Sequence, residues 1–401
     1  MQNTLFSQLQ PQPDDPILGL NEAFKRDPRP EKVNLSVGAY LKDDGVMPLL
    51  RTVEEATRRI TARREPHAYI PIAGLPGYIA GVQKVLFGPE REALLTGRIA
   101  TVQTPGGTGA LFLAGQFARL SLGLDRIVVS DPTWGNHISI FEQAGLTVGK
   151  YPYYDRATGT LRWEEMKAAL SALPERTLVL LHACCHNPTG VDLPREAWPE
   201  LVALVKAKNL VPVLDIAYQG LGDGLDEDAY APRLFADEGV ATIVCASSSK
   251  NFALYGQRAG ALHVLTQSPE EAAVTTSVLK NLVRSSYSNP PKFAGAVVAE
   301  ILSDPALEAE WRTEVVAMHD RMVEMRKLFA AAGERFDADL SFVLRQKGMF
   351  SFTGCTREEM TELREAYAVY GIGNGRICVA GLNHGNVERT AEAFAKVLAK
   401  R

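Results

Sequence analysis

The stretch TIVCASSSKNF at residues 242–252 joins an apolar run to three serines and a lysine. The run Thr242–Ser247 predicts a buried strand, and Lys250 follows its carboxyl end. A lysine among small hydroxyl residues can form a Schiff base with a carbonyl compound, and Arg258, further along the chain, can bind an anionic group. The alternative interpretation of the same residues is a solvated, serine-rich loop.

Three more apolar runs of this kind come earlier in the chain: Arg126–Ser130, Thr177–His182 and Val211–Asp215. Their density of valine, isoleucine and leucine is typical of a parallel sheet that is covered on both faces. The spacing of apolar residues in Trp163–Leu173 and Arg195–Lys208 predicts helices between the strands. This alternation indicates the α/β class with a mostly parallel sheet.

A second, smaller domain is predicted from the two ends of the chain. Pro305–Ala332 has the pattern of a long helix with no strand soon after it, so we expect it to bridge into that domain. Gly333–Arg401 is predicted to be an α+β mixture that ends in a helix over Val387–Lys400, and Asp14–Gly38 is expected to pack with it. The expected division is an N-terminal arm at residues 1–13, a small domain at 14–46 and 319–401, and a large domain at 47–318.

The composition limits the classes of function. The 401 residues are 46% hydrophobic and carry a net charge of −4, so there is no basic footprint for nucleic acid. No apolar run is long enough to span a membrane, and Met1–Pro13 lacks the pattern of a signal peptide. Five cysteines make no disulfide framework in a chain of this size and favour a reducing compartment, so the cytoplasm is expected.

Polar or aromatic side chains follow the predicted strands, namely Trp134, Asn187, Asp215, Tyr218 and Lys250. Ligands of open α/β sheets bind beyond the carboxyl ends of the strands, so we expect these side chains at one site. Asp215 ends an apolar strand and needs a partner, which could be a protonated ring nitrogen or an ordinary salt bridge. Tyr218 and Trp134 could contact a flat heteroaromatic ring or could simply pack in the core.

The glycine-rich string Gly106–Gly109, GGTG, lies at the start of a predicted helix, Thr108–Leu120. Glycines let the backbone approach an anion, and the N-terminus of a helix supplies free N–H groups. The alternative is a glycine turn with a threonine cap.

The string HACCH at residues 182–186 contains the residue types of a metal site. On a strand, residues 182, 184 and 186 would share one face. A zinc site needs three or four protein ligands and no second ligand pair lies nearby in the sequence, so no metal is expected. The turn Asn187–Gly190 that follows would fix the amide of Asn187 at the end of the strand.

Two arginines are candidates for carboxylate binding, because a guanidinium group can bind a carboxylate through two parallel hydrogen bonds. Arg376 precedes the apolar run Ile377–Val379, which is expected to bury its stem, and Arg284 precedes Ser285–Pro291, a turn that could present it inward. A surface charge is the alternative for each.

Six motifs, in order along the chain, resemble those of class I pyridoxal 5′-phosphate (PLP)-dependent aminotransferases of the aspartate/aromatic amino acid subgroup. They are TPGGTGAL at 104–111, CCHNPTG at 184–190, DIAYQG at 215–220, SSSKNF at 247–252, YSNPP at 287–291 and GMFSF at 348–352. The resemblance covers essentially the whole length, from Asp15–Leu18 and Asn34–Tyr40 to the C-terminal helix. It implies PLP as the cofactor, fold type I of the PLP transferases, and a homodimer.

The resemblance also implies a role for each matching residue. The catalytic residues would be Lys250, which binds the cofactor, Asp215, which pairs with the pyridine nitrogen, and Tyr218. The other cofactor contacts would be Trp134 and Asn187 at the ring, Gly107, Thr108, Ser247, Ser249 and Arg258 at the phosphate, and Tyr69 at the phosphate of the neighbouring subunit. The substrate contacts would be Gly38, Trp134, Asn187, Arg284, Phe350 and Arg376.

Within that set, Arg376 matches the residue that binds the α-carboxylate of the substrate. Arg284 matches the arginine that crosses the dimer interface to a side-chain carboxylate, and His137 supports the region of the ring. Lys250 would move the Cα proton as general acid and base, and two half-reactions would give ping-pong kinetics. The sequence departs from the family at Gln257, where glutamate is frequent, and at Asn374, where serine is common.

The strings DPILGL, DIAYQG and CVAGLN are closer to the bacterial aromatic branch, whereas Arg284 provides for dicarboxylic substrates. The expected function is an aromatic amino acid aminotransferase that also accepts aspartate and glutamate, with 2-oxoglutarate as acceptor. The alternative is an aspartate aminotransferase with weak aromatic activity. A PLP-binding transcription regulator is disfavoured because only about 35 residues precede Gly38, and a lyase or decarboxylase is disfavoured by the two arginines.

Overall fold

The structure is a computed structural model that describes residues 5–11 and 16–401. The predicted boundary between the N-terminal arm and the small domain, at residues 13 and 14, lies outside the described residues. Within them, no helix combines the length and the apolar character that crossing a membrane requires.

Thirteen strands occur in the described part of the chain. In chain order they are β1 (Val33–Asn34), β2 (Ile99–Thr104), β3 (Arg126–Asp131), β4 (Thr147–Pro152), β5 (Tyr154–Asp155), β6 (Thr160–Leu161), β7 (Leu178–His182), β8 (Val211–Ile216), β9 (Thr242–Ser247), β10 (Gly260–Leu265), β11 (Phe350–Phe352), β12 (Val369–Tyr370) and β13 (Arg376–Cys378).

Fourteen α-helices occur in the same residues. They are α1 (Pro16–Arg26), α2 (Arg51–Ala62), α3 (Pro76–Phe87), α4 (Glu92–Leu95), α5 (Gly106–Gln116), α6 (Asn136–Gln143), α7 (Trp163–Ser171), α8 (Ala197–Ala207), α9 (Tyr230–Asp237), α10 (Pro269–Ser286), α11 (Lys292–Ser303), α12 (Pro305–Arg335), α13 (Arg357–Tyr367) and α14 (Val387–Leu398). A π-helical turn, Phe117–Ser121, extends α5, and 3-10 turns lie at Leu5–Gln8, Ser341–Arg345 and Val379–Gly381.

The large sheet has seven strands in the order β2-β10-β9-β8-β7-β3-β4. Strands β9, β8, β7, β3 and β4 run parallel to one another, and β10 is antiparallel to both of its neighbours, β2 and β9. The predicted α/β class with a mostly parallel sheet is therefore confirmed. The carboxyl ends of β3, β7, β8 and β9 meet at one edge of the sheet, and this edge holds the site.

Hydrophobic cores lie on both faces of this sheet. In β7, Leu178 and Leu180 pack into one core and Val179 and Leu181 into the other. Side chains alternate between the faces of a strand, so a continuous apolar run is what two covered faces require. All five residues of β7 are buried.

A third core joins the two ends of the chain. Val33 pairs with Val369 in the parallel β1–β12 pair, and Val33 packs in the same cluster as Phe329 of α12 and Phe394 of α14. This arrangement confirms a smaller α+β unit built from both termini, while its boundaries at residues 46 and 318 stay predictions.

The 31-residue helix α12 connects the two parts of the molecule. Its first turn is capped by the side chain of Asp304, which accepts from the backbone N–H groups of Ala306 and Leu307. Near this end, Trp311 Nε1 donates to the carbonyl oxygen of Asn251 at 2.8 Å, next to Lys250. Its other end carries Phe329 into the third core, so the helix bridges the two units as predicted.

Candidate active site

A cavity of about 260 Å³ opens at the carboxyl edge of the large sheet. Its lining includes most of the predicted site residues, namely Gly38, Gly107, Thr108, Trp134, Asn187, Asp215, Tyr218, Ser247, Ser249, Lys250 and Arg258. Leu111, His182, Ala217 and Tyr255 line it as well. Residues that are far apart in sequence meet here because most of them lie at or just after the end of a strand of the sheet or beside the start of β10, while Gly38 comes from the segment after β1.

Lys250 lies in a buried, cationic part of this cavity. Its Nζ is 4.7 Å from the centroid of the Tyr218 ring. Burial lowers the pKa of Lys250 to about 8, and the positive charge of Arg258 acts in the same direction, against the opposing charge of Asp215. A substantial fraction of this amine is therefore neutral near pH 8, which a nucleophile or a base requires.

Asp215 is held as an anion although it is buried. Burial acts to raise its pKa, but His137 Nε2 donates a hydrogen bond to Asp215 Oδ2 at 3.1 Å, and the net effect keeps the pKa of Asp215 below its ordinary value. His137 Nδ1 is in turn bonded to Thr133 Oγ1 at 2.8 Å, which leaves Nε2 to carry the proton. The site thus contains a fixed negative charge that can pair with a protonated ring nitrogen.

The Tyr218 phenol, unlike the Asp215 carboxyl, stays protonated, because burial dominates and disfavours its anion. Its side chain is buried, and burial raises its pKa above the ordinary value, although Arg376 partly opposes this. Trp134, half-buried at the cavity, packs edge-to-face with His137 at 5.2 Å between ring centroids. A flat ring between these aromatic groups would meet a hydroxyl donor on one side and a carboxylate on another.

The first turn of α5 and the guanidinium of Arg258 form a cradle for an anion. Gly106 has φ +78°, and a Cβ at this position would lie 2.3 Å from Arg258 Nη2, so only glycine fits. Arg258 donates to the carbonyl oxygen of Tyr255 at 2.9 Å and, at longer range, to that of Pro105 at 3.4 Å and to Ser249 Oγ at 3.5 Å. These acceptors are all neutral, and the free N–H groups of the helix N-terminus face the same region.

Arg376 is buried in the wall beside this cavity, although it is not among the lining residues. Its Nη1 donates to Asn187 Oδ1 at 3.2 Å and its Nη2 to the carbonyl oxygen of Ser36 at 2.8 Å. Its Cζ lies 4.2 Å from the centroid of the Phe350 ring. Phe350 also approaches Gly38, where a Cβ would come within 2.8 Å of Phe350 Cζ. Arg376, Phe350, Asn187 and Gly38 are therefore brought together as predicted.

Tyr69 and Arg284 lie away from this cavity in the single chain. The Tyr69 side chain is 93% exposed. Arg284 is exposed at the C-terminal end of α10, where its Nη1 donates to Ser288 Oγ at 2.6 Å. The turn expected at Ser285–Pro291 begins later than expected, because α10 continues through Ser286 before Ser288 adopts φ +68°. The turn therefore does not present Arg284 to its own cavity.

His182 is a site residue that sequence reasoning missed. It is the last residue of β7, it lines the cavity, and neither ring nitrogen has a hydrogen-bond partner among the described residues. Burial lowers the pKa of His182 to about 3, so the ring is neutral. The condition for residues 182, 184 and 186 to share a strand face is not met, because the strand ends at His182; the ring of His186 lies 4.2 Å from that of His182 and stacks on Tyr153 at 4.1 Å. Its place at a strand end was the signal that could have found it.

The two departures from the family pattern are both accommodated. Gln257 is exposed, so the missing glutamate charge would have been largely screened by solvent. Asn374 Oδ1 accepts from the backbone N–H of Arg376 at 3.1 Å. The residue that replaces serine therefore supports the loop that carries Arg376.

Residues 30–394 match the protein family described as aminotransferase class I and II. The chain belongs to this family. It is a class I PLP-dependent aminotransferase of the aspartate/aromatic subgroup, which confirms the family, the enzyme class and the cofactor expected from the motifs.

Relatives of this aminotransferase carry both of the expected substrate classes in their names. An aspartate aminotransferase of Pseudomonas aeruginosa is 46% identical over 399 residues, which cover 98% of this chain and 100% of that protein. An aromatic-amino-acid aminotransferase of Escherichia coli is 45% identical with the same coverage. The crystal structure of an aromatic-amino-acid aminotransferase from Burkholderia pseudomallei, covalently bound to pyridoxal phosphate, has a TM-score of 0.96 at 46% identity, covering 98% and 100% of the two chains.

The residues of this aminotransferase fit PLP. At the cradle, the absence of a side chain on Gly106 makes room for the Arg258 guanidinium, whose hydrogen-bond acceptors include no carboxylate among the described residues. Lys250, Asp215 and Tyr218 line the same cavity as that cradle. Their chemistry matches an aldehyde, a basic ring nitrogen and a phenolic oxygen, respectively.

Proposed function

We propose that the chain is an aromatic amino acid aminotransferase that also accepts aspartate and glutamate and uses 2-oxoglutarate as acceptor. The observation that carries this proposal is Arg376, a buried cation beside an aromatic wall. Its guanidinium would bind the carboxylate that every amino acid has, and Phe350 and Trp134 would contact an aromatic side chain. Arg284, the arginine expected to bind a side-chain carboxylate, lies in solvent in the single chain.

In this proposal the polar groups of the cavity have different tasks. Bound PLP supplies an electron sink for the electrons of the substrate's Cα–H bond. The neutral Lys250 amine removes the proton from Cα and returns it at C4′. Asp215 keeps the ring nitrogen protonated, and the Tyr218 hydroxyl and the Asn187 Nδ2 donate to the phenolic oxygen. Asn187 can serve both partners because only its Oδ1 is engaged with Arg376.

The remaining contacts in the proposal orient the cofactor and the substrate. Trp134 would stack on the ring, while Gly107, Thr108, Ser247, Ser249 and Arg258 would bind the phosphate. Gly38 leaves room for the substrate beside Phe350. Two half-reactions at one site, with one product leaving before the second substrate enters, predict ping-pong kinetics.

The homodimer is part of the same proposal. Tyr69 and Arg284 would each complete the site of the neighbouring subunit, and their exposure in the single chain supports this. We also propose a cytoplasmic location. All five cysteines are free and buried, which is what a protein kept in a reducing compartment requires.

The test is kcat/KM for phenylalanine and for aspartate, each with 2-oxoglutarate as acceptor. We expect amino transfer from both donors with phenylalanine preferred. A preference for aspartate by a factor of about 10 or more, which is about 1.4 kcal/mol in transition-state binding, would favour the alternative, an aspartate aminotransferase with weak aromatic activity. Relatives named aspartate aminotransferase and relatives named tyrosine or aromatic-amino-acid aminotransferase are nearly equally identical to this chain. Sequence identity therefore does not decide between the two functions.

A further inference from the structure

Arg326 of α12 is a buried arginine behind the wall that carries Phe350. It is 5% exposed. Its Nη2 donates to the carbonyl oxygens of Gly348 and Phe350, both at 2.8 Å, and its Nη1 donates to that of Val343 at 2.9 Å and to Ser351 Oγ at 2.5 Å. All four acceptors belong to the segment 343–351, and all four are neutral.

Burying a cation whose hydrogen-bond partners are all neutral costs free energy. Burial lowers the pKa of Arg326 to about 10, which still leaves it charged at neutral pH. No carboxylate forms an ion pair with it within the described ranges. A hydrophobic residue of similar volume would avoid this cost, but it would leave buried carbonyl oxygens without donors. The planar guanidinium instead fixes several carbonyl groups relative to one another.

The segment that Arg326 holds ends at the substrate wall. The ring of Phe350 lies 4.2 Å from Arg376 Cζ and 5.8 Å, edge-to-face, from the ring of Tyr218. It also limits the space above Gly38, where a Cβ would be 2.8 Å from Phe350 Cζ. A shift of the main chain at residue 350 would therefore also displace the guanidinium of Arg376, because the Phe350 ring is packed against it.

We propose that Arg326 is a positioning residue for amino acid binding: by fixing the main chain of Gly348–Ser351 it holds Phe350 against Arg376 and so sets the position of the guanidinium that binds the α-carboxylate. The inference rests on the role proposed for Arg376. Arg326 reaches Phe350 only through its main-chain carbonyl and does not line the cofactor cavity, so its loss should weaken the binding of every carboxylate ligand and leave the cofactor unaffected.

The first test is Arg326→Met in the holoenzyme. We expect the KM of phenylalanine and of aspartate, and the Kd of the unreactive acid 3-phenylpropanoate, to rise together by about 10- to 100-fold, the scale of a misplacement near 1 Å. The absorption spectrum of bound PLP should stay unchanged, and kcat should fall by less than about threefold. A lower Tm with unchanged KM and Kd would overturn the proposal.

Arg233→Met is the matched control, because Arg233 also donates to main-chain carbonyl groups but lies far along the chain from the wall. Its Nε donates to the carbonyl oxygen of Leu86 at 3.0 Å and its Nη2 to that of Val85 at 3.2 Å. We expect this variant to lose thermal stability while the KM values and the Kd of 3-phenylpropanoate stay unchanged. Equal increases in KM in both variants would show a general effect of destabilisation and would overturn the specific role of Arg326.

A double-mutant cycle tests whether Arg326 acts through Phe350. In the Phe350→Ala background, Arg326→Met should add little to KM, since the ring that transmits the effect is gone. Full additivity would overturn the proposal. If Arg326→Met does not fold, the test uses Arg326→Lys and Ser351→Ala, each of which removes part of the hydrogen bonding between Arg326 and the segment 343–351. Unchanged Kd values for 3-phenylpropanoate in both variants would overturn the proposal.

The same measurements separate this inference from the proposed function. An unaltered holoenzyme that transfers no amino group refutes the function, whereas an active enzyme whose Arg326→Met variant binds 3-phenylpropanoate normally refutes the inference alone.

Discussion

Asp215 and Lys250 share one cavity, yet their surroundings shift their protonation in ways that suit different tasks. The hydrogen bond from His137 keeps the pKa of Asp215 below its ordinary value in spite of burial, and burial lowers the pKa of Lys250 to about 8. A permanent anion and an amine that is partly neutral near pH 8 are what a pyridine nitrogen and a Cα proton require from their partners.

Asp215→Ala should reduce kcat by about 10²–10³-fold while PLP still binds at saturating concentration. The loss corresponds to breaking one side of a buried charge pair, which leaves the ring nitrogen without its counter-ion. Asp215→Asn is the matched variant, because it keeps the shape and removes the charge. We expect it to be as impaired as the alanine variant. A kcat close to that of the unaltered enzyme, in either variant saturated with PLP, would contradict the pairing.

Arg284→Leu should separate the two classes of substrate. A guanidinium can pair with the side-chain carboxylate of aspartate but has no partner on a phenyl ring, so aspartate kcat/KM should fall about 100-fold while phenylalanine is unaffected or improves. Arg376→Leu should impair both donors. Lys280→Leu, on the exposed surface of the same helix one turn earlier, controls for the lost charge. Equal losses for both donors in Arg284→Leu would contradict this division.

At the residue scale, the sequence was informative where a chemical group follows a strand. Lys250, Asp215, Asn187 and Trp134 lie at the cavity because parallel strands end at one edge, which is a property of the topology and not of local sequence. The same rule predicts a place at this edge for His182, although its position in the string HACCH points first to metal chemistry.

At the scale of elements, the start of α5 forms the anion cradle. Gly106→Ala should weaken PLP binding by about tenfold or more, because the added Cβ would meet Arg258 Nη2 and because φ +78° disfavours alanine. Gly123→Ala is the matched control, since Gly123 has φ +66° and nothing within 4 Å of an added Cβ. Both variants should lose similar stability, and only Gly106→Ala should lose PLP. Equal PLP affinities would contradict the cradle.

The strands β3, β7, β8 and β9 could be predicted because their apolar runs are unbroken. Strand β10 could not, because GALHVL contains a glycine and a histidine, and its own residues carry no signal of its antiparallel direction. The buried His263 within it bonds Thr101 Oγ1 across to β2 at 2.9 Å. That pairing satisfies one polar ring atom and exists only once the sheet has formed.

At the scale of the whole molecule, the proposed site is incomplete in a single chain. Tyr69 and Arg284 are exposed and outside the cavity, and a two-fold symmetric dimer would place each in the site of the partner subunit. No pattern within one chain can reveal a residue that acts in another, so these two residues came from family resemblance alone.

Mixing inactive chains tests the shared site. Tyr69→Phe/Arg284→Ala chains combined with Lys250→Ala chains should regain about a quarter of the native activity toward aspartate, because half of the dimers are then mixed and each has one intact site. Lys250→Ala combined with Arg376→Ala is the control and should stay inactive, since both residues act in one subunit. A fully active monomer in light scattering would contradict the dimer.

The most direct test of the central claim, amino transfer through PLP held by Lys250, is the isolated half-reaction. Phenylalanine is added to the holoenzyme without any oxo acid, and the cofactor spectrum and the products are followed together. We predict conversion to the pyridoxamine phosphate spectrum with one phenylpyruvate released per site, and reversal by 2-oxoglutarate. Continued turnover of phenylalanine without an acceptor, release of carbon dioxide, or an unchanged spectrum would contradict the account.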